Sequence, residues 1–320
     1  MAATNGDSTK TPPTSNITAS IDIYERLATP QKLQLSVATV IHVRLLSFSI
    51  DNKSKFGIAT VDGVIDLTAV TPYKHLGDLL EDLESLSSFS NRDHDYTWEQ
   101  IKFDIPITDN RRLLCAGLNY HKKYPLGGEV KAPKQPVYFN KPPGTLIAHQ
   151  DFLIRPTVSE QLDYEVELAI VIGKPGRHIS ESSALEHVAG YTILNDGSVR
   201  NWQRHSVAAG KNFYRSGSCG PWITTFDELP PPADLRVISR VNGEERQNEQ
   251  LSKMIFSVEE LISYLSMVMP LEPGDIIATG SPEGTGGSME PQVWLAEGDA
   301  IEFEIPGIGI LANTVANETI

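Results

Sequence analysis

The chain has 320 residues, of which 40% are hydrophobic and 21% charged, a composition typical of a globular protein with a sizeable buried core. Its 27 Lys and Arg against 41 Asp and Glu give a formal net charge of −14. An acidic chain without a local basic patch is repelled by phosphate backbones, so nucleic acid is not an expected partner.

Cysteine content and hydropathy indicate where in the cell the protein resides. Cys115 and Cys219 are far apart and form no C-x-x-C pair, which excludes a disulfide scaffold and a zinc knuckle and suits a reducing environment. No apolar run approaches the roughly 20 residues of a membrane span, and the first residues lack the pattern of a secretory signal. We therefore expect a cytoplasmic protein without a membrane partner.

Three segments are predicted along the chain. Residues 1–41 begin with a Ser/Thr/Pro-rich stretch and predict a disordered or poorly ordered extension, because such a composition cannot offset its ordering entropy. Residues 42–103 predict a small α/β domain, in which the strands HVRLLSFSI, FGIATV and GVIDL precede an amphipathic helix over 75–86. Residues 104–320 are the predicted catalytic domain.

The larger domain is rich in predicted strands. Seven apolar or alternating runs are bounded by turn residues: RLLCAGLNY, PVYFN, VELAIVIG, AGYTILND, LRVISRVNG, GDIIATG and DAIEFEIPGIGILANTV. Two helices are predicted among them, one after Ser180 and one at Ser257, where Ser257 and Glu260 form a capping box. Many strands with few helices predict an α+β, mainly β architecture.

The stretch DYEVELAIVIG carries two carboxylates at alternate positions. On a strand, Glu165 and Glu167 point to the same face, because the side-chain period is two. The continuously apolar residues that follow are typical of a strand buried on both faces, where a divalent cation would offset the repulsion of the two carboxylates. The alternative is that both side chains lie at an exposed end of the strand.

A third carboxylate ends another apolar strand. Asp196 follows AGYTILN, and Arg200 and Gln203 come next at a spacing that places them on one side of a helical turn. Three carboxylates with oxygen ligands alone favour Mg²⁺ or Mn²⁺ over zinc. The alternative for Asp196 is a turn or helix-capping residue.

These stretches occur in order with GKNF, GPW, VNGEERQ, MIFSVEELISYLS, LEPGDIIATGSPEGTG and EGDAIEFEIPGIGIL. Together with CAGLNY and PVYFNKPPGTLI, they resemble the fumarylacetoacetate hydrolase family over about Val43 to Val315. The resemblance implies a mixed β-sandwich roll of that family's C-terminal-domain type with a small N-terminal domain, assembled as a homodimer.

The resemblance also implies residue roles. The family's E-x-E pair and later aspartate, which bind Mg²⁺ or Mn²⁺, match Glu165, Glu167 and Asp196. Lys211 matches the lysine of the G-K-x-F segment, and Gln203 is a further catalytic candidate. The substrate-binding candidates are Arg200, Lys141, Thr279, Gly280 and Ser281.

One segment departs from the family pattern. Hydrolysing and decarboxylating members carry N-Y-x-x-H-x-x-E, whereas this chain reads NYHKKYPLGGEV, with Lys123 and Leu126 at the positions of the His and the Glu. His121 stands two residues early and Glu129 three residues late. We therefore take Lys123, or His121 if the loop is extended, as the candidate base.

The expected substrate is a 1,3-dicarbonyl or 2-oxo acid, and the first hypothesis is C–C bond hydrolysis or decarboxylation through a metal-bound enolate. The second is a metal-dependent isomerase or tautomerase, which the altered segment favours because that reaction needs no activated water. The third is a catalytically silent metal-binding homologue. A specialised-metabolism enzyme with a larger substrate is a further alternative, suggested by the altered loop alone.

Overall fold

The computed structural model describes residues 43–89, 92–109, 111–127, 131–142 and 144–319. The predicted N-terminal extension, residues 1–41, lies outside the described residues. Within them, no helix is both long enough and apolar enough to cross a membrane.

Nineteen strands are found in the described residues. They are β1 (Arg44–Ile50), β2 (Lys53–Ala59), β3 (Gly63–Asp66), β4 (Tyr96–Thr97), β5 (Lys102–Phe103), β6 (Leu113–Gly117), β7 (Val137–Asn140), β8 (Leu146–Ile147), β9 (Phe152–Arg155), β10 (Leu162–Asp163), β11 (Val166–Ile172), β12 (Val188–Asn195), β13 (Ser198–Val199), β14 (Gly217–Thr225), β15 (Arg236–Val241), β16 (Glu244–Gln250), β17 (Ile276–Ala278), β18 (Ala300–Ile305) and β19 (Gly309–Asn317).

Twelve of these strands form one mixed sheet. Its order is β4-β3-β2-β1-β14-β12-β11-β17-β6-β7, with β5 beside β1 and β8 beside β14. A second sheet has the order β16-β15-β18-β19-β9, and β10 pairs with β13. Many strands with few helices confirm the predicted α+β, mainly β class.

The core lies between the two sheets. Every residue of β11 and β12 is buried, as the continuous apolar run of VELAIVI predicts. Leu168 and Ile170 of β11 share one hydrophobic cluster with Val237 of β15 and Phe303 of β18. This packing of sheet on sheet fixes the ends of β11 and β12, where the predicted carboxylates lie.

Four α-helices are found in the described residues: α1 (Leu76–Leu79), α2 (Arg200–Gln203), α3 (Val207–Lys211) and α4 (Val258–Val268). The predicted capping box is confirmed, because the Glu260 N–H donates to Ser257 Oγ (3.2 Å) and the Ser257 N–H donates to Glu260 Oε2 (2.7 Å).

Two predicted helices are shorter or tighter than expected. The helix over 75–86 is one α turn, α1, followed by a 3₁₀ segment, Leu83–Phe89, although its leucines do pack into a core. Gly77 lies within that single turn and lowers its helix propensity. The helix after Ser180 is a 3₁₀ segment, Glu181–His187, that buries only Ala184.

The predicted domain boundary near Phe103 falls within a continuous sheet. β1 pairs antiparallel with β14, with Arg44 opposite Thr224 and Leu45 opposite Ile223. The strands of the predicted small domain therefore extend the sheet that carries β11 and β12. That residues 42–103 fold as a domain of their own stays a prediction.

Candidate active site

The register of two strands brings three carboxylates together. β11 and β12 are antiparallel, with Val166 opposite Asn195, so the start of one strand lies beside the end of the other. Glu165 directly precedes β11, Glu167 lies in it, and Asp196 follows β12. One oxygen of each side chain lies within 4.8 Å of the other two, and all three residues are buried. We call these three residues the carboxylate triad.

Two lysines bind the triad. Lys211, the last residue of α3, donates from Nζ to Glu165 Oε2 and, at 2.5 Å, to Asp196 Oδ2. Lys141 Nζ donates to Asp196 Oδ1 at 2.7 Å and to the carbonyl oxygen of Lys211. Gly210 allows α3, which ends at Lys211, to pack closely against α2, since a Cβ at position 210 would lie 2.4 Å from Gln203 Cα.

Arg200 begins α2 and joins the triad to its surroundings. Its Nη2 donates to Glu165 Oε1 (2.9 Å), its Nε to Asp163 Oδ2 (2.7 Å) and its Nη1 to Gln203 Oε1 (3.0 Å). Asp163 also accepts from the backbone N–H groups of Gly286 (2.7 Å) and Gly287 (3.0 Å). The buried Asp163 therefore fixes both the guanidinium and the loop over 284–288.

The segment over 279–281 closes another side of the site. The Gly280 N–H donates to Glu167 Oε2 (2.8 Å), and Thr279 Oγ1 donates to the Leu168 carbonyl oxygen (3.0 Å). Gly280 has φ 89° and a Cβ there would lie 2.9 Å from Asn119 Cβ, so this position requires glycine. Ser281 Oγ accepts from Gln247 Nε2 at 2.8 Å.

The loop after β6 brings Lys122 to the triad, and not the predicted His121 or Lys123. His121 is exposed, and Lys123 forms an ion pair at the surface with Glu290. Between them, Lys122 Nζ donates to the Ser281 carbonyl oxygen at 2.7 Å and lies 3.8 Å from Glu165 Oε1. Glu129 lies outside the described residues. The predicted base candidates Lys123 and His121 are therefore not at the triad, and Lys122 is.

The exposure of residues 121–124 explains this difference. The residues alternate between exposed and half-buried, as in an extended segment, so His121 and Lys123 share the outer side. The sequence analysis expected His121 to face inward if the loop were extended. Residues two apart do share a side in this segment. Which of the two sides faces the triad depends on contacts with residues elsewhere in the chain.

The charges in the site shift several pKa values. Burial alone would raise the pKa of Glu165, but Lys211, Arg200 and Lys122 hold it well below its usual range. Burial together with the charges of Asp196 and Glu165 raises the pKa of Glu167 well above its usual range. Burial would lower the pKa of Lys211, but Asp196 and Glu165 outweigh it and raise it. Lys211 is thus a hydrogen-bond donor to both Glu165 and Asp196.

The triad suits a divalent cation. Its donors are carboxylate oxygens alone, which is the chemistry of Mg²⁺ or Mn²⁺ and not of zinc sites rich in His or Cys. Glu167 has the least compensated charge of the three, because the one hydrogen bond that the described residues give it comes from the Gly280 N–H. A cation between these oxygens would keep Glu167 ionised.

Comparison with known proteins identifies the family. The model of the fumarylacetoacetate hydrolase C-terminal domain matches residues 112–316. The chain belongs to this family. Curated relatives include the mitochondrial oxaloacetate tautomerase fahd2 of Xenopus laevis, 35% identical over 89% of this chain and 93% of the relative. The oxaloacetate tautomerase YisK of Bacillus subtilis is 42% identical over 69% of this chain and 75% of the relative.

Solved structures of the family share the fold. A fumarylacetoacetate hydrolase from Exiguobacterium antarcticum is 33% identical, has a TM-score of 0.73, and covers 86% of this chain and 100% of its own. A maleylpyruvate hydrolase from Sphingobium sp. SYK-6, solved with manganese(II) and pyruvate, is 28% identical, with the same TM-score and coverage. That complex and the buried triad together support divalent-metal binding by this chain.

Proposed function

We propose that this chain is a divalent-metal-dependent tautomerase of enolisable 2-oxo acids, and that oxaloacetate is the first substrate to test. The observation that carries the proposal is the loop after β6. Among its described residues, 118–127, neither a carboxylate nor a histidine lies at the triad: Lys122 forms an ion pair with Glu165, and the buried Tyr120 hydroxyl interacts with the charge of Glu167. Hydrolysis needs a base that activates an attacking water, whereas tautomerisation needs no attacking water, only a group that takes a proton from the α-carbon and returns it while the enolate is stabilised.

The relatives support the same choice. Two relatives from a vertebrate and a bacterium carry the name oxaloacetate tautomerase. A structure from Mycobacterium abscessus described as a probable 2-hydroxyhepta-2,4-diene-1,7-dioate isomerase is 29% identical with a TM-score of 0.72. Isomerisation of an enolisable acid is thus a reaction of proteins that resemble this chain over most of its length.

The chemistry follows from the positions of the side chains. Glu165, Glu167 and Asp196 would hold Mg²⁺ or Mn²⁺, which polarises a keto oxygen as a Lewis acid when bound. Lys211, held between Glu165 and Asp196, places a permanent positive charge where negative charge develops on that oxygen. Arg200 orients Gln203 through its Nη1, which makes Gln203 a positioned hydrogen-bonding group at the rim of the site.

C–C bond hydrolysis is the second candidate. The Sphingobium maleylpyruvate hydrolase has a TM-score of 0.73 to this chain and was crystallised with pyruvate. Hydrolysis here would require a water-activating base from outside the triad and its lysines, whereas decarboxylation would require only that the enolate left by the departing CO₂ is stabilised.

The deciding experiment follows the enol absorbance of oxaloacetate and a panel of acylpyruvates with Mg²⁺, with Mn²⁺ and with EDTA, while mass spectrometry records the products. We expect metal-dependent acceleration of enol–keto relaxation without new products. Metal-dependent C–C cleavage products would replace the tautomerase with the hydrolase or decarboxylase. Metal binding without turnover of any acid would identify a silent homologue or an enzyme for a larger substrate.

Two further expectations belong to this proposal. We propose a homodimer in the cytoplasm, although the Xenopus relative is named as mitochondrial. Light scattering on the purified full chain tests the first, since a monomer mass would contradict it. Imaging of the tagged full chain beside a mitochondrial marker tests the second.

A further inference from the structure

Lys122 differs from the other cations around the triad in its unused hydrogen-bonding capacity. Lys141 and Lys211 each donate to two acceptors, and Arg200 donates to three. Lys122 donates to one among the described residues, the Ser281 carbonyl oxygen, although an ammonium group has three N–H donors. Its distance to Glu165, 3.8 Å, is too long for a hydrogen bond.

Lys122 is also the most accessible of these cations. Its side chain is 10% exposed, whereas those of Lys141, Arg200 and Lys211 are 0%, 1% and 5% exposed. A ligand that enters the site therefore meets the Lys122 ammonium group with donors to spare, while the other three cations are bound to protein oxygens.

The charge balance of the site indicates what that ligand carries. Four buried carboxylates, Asp163 and the triad, face four cations: Arg200, Lys122, Lys141 and Lys211. A divalent cation on the triad leaves two excess positive charges, which a dianion neutralises and a monoanion does not. Without Lys122, the excess falls to one, which a monoanion neutralises.

We infer that Lys122 binds the distal carboxylate of a dianionic 2-oxo acid and makes the site selective for 2-oxo diacids over 2-oxo acids with neutral tails. The inference rests on the proposed function, since it names the substrate class of the same site. One end of the acid would meet the triad and its cation, and the other end would meet the ammonium group held beside Ser281. The residue thus determines specificity.

The test measures binding of two acids that differ only in their tails. Oxaloacetate ends in a carboxylate, and 2-oxobutanoate ends in a methyl group at the same position. Titration calorimetry with Mg²⁺ at constant ionic strength gives both dissociation constants for the full chain and for Lys122→Met, Lys122→Gln and Lys123→Met. The last is the matched control, because the structure places Lys123 at the surface.

We expect the wild-type chain to bind oxaloacetate about tenfold to a hundredfold more tightly than 2-oxobutanoate, the range of a hydrogen bond between charged groups. Lys122→Met and Lys122→Gln should lose that preference by weakening oxaloacetate alone, and Lys123→Met should keep it. Equal wild-type affinity for the two acids, or an unchanged preference in Lys122→Met, overturns the inference.

A purely structural role has a different pattern. If Lys122 served only to hold Ser281, Lys122→Met would weaken both acids equally, and Lys122→Gln, which can still donate to that carbonyl, would restore both. That pattern also overturns the inference. Deuterium exchange at C3 of the same acids, followed by NMR, reports on the proposed function separately. Selective binding without catalysed exchange would contradict the tautomerase and leave the role of Lys122 supported.

Discussion

Two regions border the triad, and they differ in how well the sequence determines them. At the ends of β11 and β12, the side chains of Glu165 and Glu167 lie together as their spacing predicts, and Asp196 joins them as the family resemblance implies. In the loop after β6, the predicted residues His121 and Lys123 face outward, and Lys122 faces the triad. The first region belongs to a hydrogen-bonded ladder, whereas residues 121–124 have no strand beside them.

The difference comes from what fixes the side-chain direction. In a sheet, the side chains that each face must pack leave a strand one register, because a slip by one residue moves every side chain to the opposite face. The loop is held by scattered contacts instead, among them the Ile255 N–H to the Asn119 carbonyl oxygen (2.8 Å) and Arg204 Nη2 to the Leu126 carbonyl oxygen (3.0 Å), and one side chain makes three of them. Asn119 Nδ2 donates to the Phe256 (3.0 Å) and Thr279 (2.8 Å) carbonyl oxygens, and its Oδ1 accepts from the Phe256 N–H (2.7 Å).

The largest effect is expected where the sequence was most informative. Glu165→Ala removes one carboxylate of the triad and leaves Lys211 and Arg200 with one acceptor fewer each. We expect turnover and Mn²⁺ affinity to fall by at least about a hundredfold, since the cation would lose a ligand. Calorimetry with Mn²⁺ and the enol assay measure the two, with the exposed Glu160→Ala as control. Full activity in Glu165→Ala would contradict the metal assignment.

Asp163 tests whether the strand ends also hold the surrounding loops. Asp163→Ala leaves the buried Arg200 guanidinium with one partner fewer and three backbone N–H groups, those of Tyr164, Gly286 and Gly287, without their acceptor. We expect the free energy of unfolding to fall by about 3 to 5 kcal/mol, measured in urea. Asp151→Ala, whose half-buried carboxylate pairs with Arg215, should cost about 1 kcal/mol or less. Equal losses of unfolding free energy in the two variants would contradict the role of Asp163 in holding Arg200 and the loop over 284–288.

Asn119 tests the anchor of the loop. Asn119→Ala leaves the Phe256 N–H and two carbonyl oxygens without their side-chain partner, so we expect unfolding free energy to fall by about 2 kcal/mol. The binding preference for oxaloacetate over 2-oxobutanoate should also fall, because Lys122 lies three residues after Asn119 and its position depends on the same loop. Asn248→Ala, at an exposed position of β16, should change neither quantity. Retained preference in Asn119→Ala would mean that the loop has another anchor.

The smallest effect is expected at Lys123. Its ion pair with Glu290 lies at the surface, so Lys123→Ala should keep turnover within about twofold and leave the urea midpoint unchanged. Enol–keto relaxation of oxaloacetate under saturating Mg²⁺ measures the rate. A tenfold loss with an unchanged midpoint would return Lys123 to the role of base and remove the contrast between the two regions.

The strands also differ in whether their apolar or alternating sequence pattern predicts them. β11 and β12 are evident from their apolar runs, and so are β15, β18 and β19. β16 is not, because EERQNEQ buries mainly Gln247 and lies at the edge of its sheet. β14 is also missed, since GSCGPWITT contains two glycines and a proline, although all nine residues are buried between β1 and β12.

By itself, the sequence determined the strand-rich class, the cap of α4 and the shared side of Glu165 and Glu167, because each depends on periodicity or on neighbours a few residues apart. Only the tertiary structure decided that Lys122 faces the triad, that Asp163 joins Arg200 to the loop over 284–288, and that β14 lies in the middle of the sheet. The partners of these residues lie far away in the sequence, and nothing local in the chain specifies such contacts.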